Sequence, residues 1–72
     1  MNLSKDMGST IKELRLMLGL EQHEFAELMG VVPGTVWNWE HGRRRPRLPK
    51  IRKMVEIAKE NKIRMNIRDF LL

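Results

Sequence analysis

Residues 22–42, QHEFAELMGVVPGTVWNWEHG, leave the backbone few choices. Phe25, Ala26 and Met29 repeat at helical spacing with His23, Glu24 and Glu27 on the other side, and Gly30 ends that pattern. A glycine breaks a helix cheaply because it enters left-handed backbone without a Cβ clash. Pro33 then opens a second pattern, in the first turn where its missing amide hydrogen would have had no partner. The spacing therefore predicts two short helices hinged at Gly30, over 22–29 and over 33–40 or 41. Val36 and Trp39 face inward on the second. Trp37, about 100° round the helix from Val36 and on the far side from Trp39, is predicted to be exposed.

The rest of the chain reads as support for this hinge. Residues 1–9 form a loose arm, with Ser4 as a candidate cap for an earlier helix start. Thr10 and Glu13 have capping-box spacing, so a first helix begins there or one turn earlier. Ile11, Leu14, Met17 and Leu18 give it an apolar face, and Gly19 suits a left-handed cap after Leu18. The segment RRRPRLP after Gly42 is an extended connection, because proline disfavours helix in the residue before it. Ile51, Met54, Val55, Ile57 and Ala58 predict a helix from Pro49 to about Glu60. Asn66 is placed to cap a last turn holding Ile67, Phe70 and Leu71, within a C-terminal extension over 64–72. No two-residue alternation is present, so the fold class is all-α, four to five short helices in a single domain over 1–72. Gly8, Gly19, Gly30, Gly34 and Gly42 read as breakers or turn residues, and Met17, Met29 and Met54 as core filling.

Composition narrows the function. A chain of 72 residues has little room for a catalytic cleft beside its core. It has no cysteine, hence neither disulfide nor thiolate zinc site, and its two histidines, His23 and His41, lack the spacing of a metal motif. We therefore expect no enzyme activity, cofactor or metal. No apolar run approaches the roughly 20 residues of a membrane span, and the start MNLSKDMGST lacks signal-peptide character. The expectation is a mature, soluble, cytoplasmic chain. Charge is strongly polarised: three basic residues against six acidic through Glu40, then eleven against three. Seven of the basic ones fall within residues 43–53 with no acid among them. Such a block attracts a polyanion and gains entropy from released counterions, although most charge runs are only solvated faces.

Ala26 stands where two helices cross closely, Gly30 where the turn excludes a side chain, and Val36 and Trp39 where the second helix anchors. Together they describe a helix-turn-helix at about 22–41. The sequence resembles the Cro and lambda-repressor type of DNA-binding domain, the XRE family, from about Ile11 to Ile63. The LGL-x-Q-x-x-x-A-x-x-x-G-V core, the TV-x-x-WE-x-G core and the following R-x-P carry the likeness. It departs at the N-caps of the second and third helices, where Glu21 and Val32 replace the usual Ser or Thr; a lost cap such as that at Val32 costs about 1 kcal/mol.

The resemblance implies a double-stranded DNA partner and a role for particular residues. Pro33, Gly34, Trp37 and Asn38 occupy base-reading positions, the first two without a side-chain donor. Asn38 suits adenine N6 and N7, and the Trp37 indole suits a thymine methyl. The alternatives are a solvent-facing Asn38 and a Trp37 packed on a neighbouring side chain or a partner subunit. Gln22, Thr35, Arg43, Arg44, Arg45 and Arg47 are phosphate-binding candidates, with Lys50, Arg52 and Lys53 less clearly so. Arg15 and Glu40 correspond to a structural ion pair, against the alternative of two separate surface charges. The implied function is a sequence-specific regulator, a repressor, acting as a homodimer with Phe70, Leu71 and Leu72 as candidate contacts. The alternative is an antitoxin-like component that also binds a protein partner, a toxin or another regulator.

Overall fold

The computed structural model describes residues 6–71, and within them the chain forms five helices and no strand. They are α1 (Met7–Met17), α2 (Gln22–Met29), α3 (Pro33–Glu40), α4 (Leu48–Glu60) and α5 (Ile67–Leu71). All five contribute to one core, in which Ile11, Leu14, Phe25, Met29, Val36, Met54 and Phe70 are fully buried.

Helix α1 starts a turn before Thr10 because Asp6 is the better cap. Its Oδ1 accepts the Ser9 amide at 2.7 Å, and that backbone bond holds the Asp6 carboxyl below its ordinary value. Residues 6–9 thus belong to the helix and its cap rather than to a loose arm; Ser4 lies outside the described residues. Thr10 is no cap but a buried tie: its hydroxyl lies 3.1 Å from the Asp6 carbonyl and 3.2 Å from the Asp69 carbonyl on α5. Gly8 is neither breaker nor turn. It sits inside α1, where an added Cβ would lie 2.5 Å from the Glu40 carbonyl oxygen and 2.8 Å from that of Trp39. Only glycine lets α1 approach the end of α3 so closely. Gly34, likewise inside a helix, has open space around it.

Met17 does not enter the core. It is 57% exposed at the edge of the α1 stripe, lining a surface groove with Arg64 and Met65. The place on the buried stripe goes to Arg15, which Glu40 neutralises.

The two helices of the hinge have the expected bounds. Glu24 in the first turn of α2 accepts the Glu21 amide at 2.8 Å, so this helix start is firmer than the missing Ser or Thr implies. Val32 makes no side-chain cap bond to α3. Gly30 holds φ at 73°, and the Val31 amide donates back to the Ala26 carbonyl at 2.9 Å, closing α2. Lys50 adds a second closure from α4, its Nζ donating to the Met29 carbonyl at 2.7 Å. Helix α4 begins at Leu48, one residue before Pro49.

Asn66 does cap α5: its Oδ1 accepts the Arg68 amide at 2.9 Å, and Asp69 returns a bond to the Asn66 amide at 2.8 Å. Phe70 fills the core, whereas Leu71 is 53% exposed, because a five-residue helix turns only one face inward. Leu72 lies outside the described residues.

Candidate nucleic-acid interface

The geometry of α3 is set by what holds its C-terminal end. The Arg15 guanidinium grips Glu40 with two donors, Nε to Oε2 at 2.6 Å and Nη2 to Oε1 at 3.1 Å, and gives a third to the Leu20 carbonyl at 2.9 Å. The paired side chains are 9% and 2% exposed. The bond from Glu40 raises the Arg15 pKa further above its already high value, against the opposing effect of burial. Gln22 Nε2 donates to the same Glu40 Oε1 at 3.1 Å. One carboxylate therefore ties α1, α2 and α3 together. It also engages the Gln22 amide nitrogen, which carries a second N–H donor.

With α3 fixed, its outer face consists of two stripes at four-residue spacing: Pro33, Trp37 and His41, and beside them Gly34 and Asn38. Trp37 is 40% exposed, neither free nor buried. His41 stacks on it with ring centroids 3.8 Å apart and planes within 15°, and the Arg43 guanidinium carbon sits 5.7 Å from the indole centroid. His41 Nδ1 lies 2.9 Å from the Trp37 carbonyl. A carbonyl only accepts, so Nδ1 carries the proton and the imidazole is held against the indole by two contacts at once. Sequence reasoning missed His41 as a member of this face, although its four-residue spacing from Trp37 was a usable signal.

The basic segment folds back beside these stripes. The Arg43 and Arg44 amides reach the Asn38 carbonyl at 2.8 and 3.3 Å, pinning the loop to the end of α3. Between loop and helix runs an open groove of about 470 Å³, with Gly34, Thr35 and Asn38 on the α3 side and Arg44, Arg45 and Arg47 on the other. Lys50 lines it as well, while Arg52 and Lys53 stand exposed on α4 outside it. Of the candidate phosphate ligands, the fold thus groups Thr35, Arg44, Arg45 and Arg47. It sets Arg43 against Trp37 and Gln22 against Glu40. Lys50 was among the weaker phosphate candidates, but nothing local in the sequence pointed to its bond with the Met29 carbonyl, which depends on α4 meeting the end of α2.

Among the described residues no group of three or more His, Cys, Asp or Glu side chains is placed to hold a metal ion. No helix among them is long and apolar enough to cross a membrane. No curated protein and no solved structure matches the chain. A helix-turn-helix family profile matches residues 11–59, well over half of the 72, and covers α1's apolar stripe, the hinge, the basic loop and nearly all of α4. The hinge, the glutamate-anchored α3 and the basic loop beside it accord with that match: the chain belongs to the Cro/C1-type helix-turn-helix family of DNA-binding domains, the XRE family.

Proposed function

We propose that the protein acts as a sequence-specific transcriptional repressor that inserts α3 into the major groove and blocks transcription by occupying its site. The observation that carries this reading is the face of exposed Pro33, Gly34, Trp37 and His41 with half-buried Asn38 beside them, flanked by four cations at one groove. Asn38 reads an adenine edge, and Trp37 packs on a neighbouring base. Thr35, Arg44, Arg45 and Arg47 hold phosphates, Arg43 reaches the backbone from beside Trp37, and the second N–H of Gln22 adds a positioning bond at the start of α2. The described helices act as one DNA-binding unit in the cytoplasm. Two copies bind a roughly palindromic site with half-sites about 34 Å apart, since one small module buries little surface.

Selection of bound duplexes from random double-stranded DNA tests the reading; one recovered consensus supports it and unenriched sequence refutes it. On that consensus, Asn38→Ala is expected to cost about 1–3 kcal/mol and to relax preference at one base pair. Equal losses on consensus and random duplexes would remove Asn38 from the reading set. Arg44→Ala should weaken all DNA alike and lower the slope of log K against log salt by about 0.9, as expected when one phosphate is no longer neutralised. An unchanged slope would place Arg44 off the backbone.

A second reading, an antitoxin-like component that also binds a protein, draws on Ile67 and Leu71, which are 37% and 53% exposed at the end of the chain. A stable complex with a co-expressed toxin or other regulator, abolished by Leu71→Asp, would favour it over a homodimer.

A further inference from the structure

The N-terminal half of the α3 outer face carries almost no hydrogen-bonding side chain. Pro33 and Gly34 are both exposed, Gly34 has open space where a Cβ would stand, and Trp37 follows Pro33 by four residues on the same stripe. These are positions where an amide or guanidinium would read base edges, and carbon stands there instead. In the major groove the feature that carbon can recognise is the pyrimidine C5-methyl group. Pro33 and Trp37 are about 6 Å apart along the helix, which spans roughly two base steps. The stacked His41 ring covers one face of the indole, and its bond to the Trp37 carbonyl fixes that stack.

We propose, resting on the DNA-reading function above, that Pro33, Gly34 and Trp37 form a methyl-reading surface for two neighbouring thymines, with His41 as the residue that positions Trp37. Gly34 admits the sugar-base edge closely, and Asn38 reads the adjoining adenine. The site is thus an A·T-containing step recognised by its methyl groups rather than by a full donor and acceptor pattern.

The test uses the tightest duplex recovered from random double-stranded DNA, with each thymine replaced in turn by deoxyuridine, which removes only the methyl. Affinity of the unaltered protein should fall about fourfold per methyl at two adjacent positions, the value expected for one buried carbon. Trp37→Ala should abolish the penalty at one of them, Trp37→Phe should keep most of it, and His41→Ala should shrink it. Rescue by His41→Phe, which restores the stack, would separate positioning from charge. Uracil duplexes bound as tightly as thymine duplexes at every position would overturn the proposal while leaving DNA reading intact. So would loss of affinity in Trp37→Phe without any uracil effect, which would mean that the indole N–H donates to a base. Failure to enrich any duplex would overturn both the proposal and the reading beneath it.

Discussion

Glu40→Ala is expected to lose about 3–5 kcal/mol, enough to leave the protein largely unfolded at 25 °C or within reach of mild denaturant. The change removes the partner of a guanidinium that is 7% exposed as a residue and strips Gln22 of its acceptor. An uncompensated buried cation is costlier than the pair itself was favourable. A chain of this length has only about 4–11 kcal/mol of total stability to lose. Replacing both partners together, Arg15→Met with Glu40→Leu, should recover most of the loss, since an apolar pair of similar volume often matches a buried ion pair. Urea unfolding followed by helical circular dichroism checks both variants. A midpoint for Glu40→Ala equal to that of the parent would show the pair to be two surface charges after all.

The second large effect is one of sign. Alanine in place of glycine inside a helix normally stabilises by about 1 kcal/mol. At Gly8 the new methyl would meet the Glu40 and Trp39 carbonyl oxygens at 2.5 and 2.8 Å, and these are backbone atoms that cannot rotate away. Gly8→Ala should therefore destabilise by about 1–3 kcal/mol, as forced overpacking does. Gly34→Ala is the internal control. Nothing lies within 4 Å of its added Cβ, so it should gain about 0.5–1 kcal/mol. Two alanines shifting the melting temperature the same way would contradict the close approach of α1 to α3.

These two sites mark the boundary of what the sequence made legible. The hinge helices were readable within one residue, the end of α3 alone lying open between 40 and 41, because Gly30 and Pro33 act locally, through backbone angles and a missing amide. The Arg15–Glu40 link followed from the family likeness, and the geometry supplies its bidentate form. Gly8 looked like any other breaker, since a close approach between distant segments leaves no local signature. The sequence allowed α1 to start at Thr10 or one turn earlier for another reason: Thr10–Glu13 and Asp6–Ser9 both have capping spacing, and only the burial of Met7 and Gly8 selects the earlier start. Met17 and Leu71 had helical spacing but lie at the margins of short apolar stripes, where spacing alone does not decide burial. At the candidate interface, Trp37 was rightly expected to be exposed, while its stack with His41 was one helical turn away and overlooked. Gln22 bonding to Glu40 and Lys50 closing α2 are consequences of tertiary packing.

The central claim is that α3 reads base sequence rather than merely adhering to phosphate, and one ratio decides it. The dissociation constant for the selected duplex is measured beside that for a scrambled duplex of the same length and composition, at about 150 mM salt, where nonspecific attraction is weakened. Specific binding tighter by about 10³-fold or more is expected. A ratio near one would mean that the basic loop alone holds DNA and that Trp37 and Asn38 read nothing.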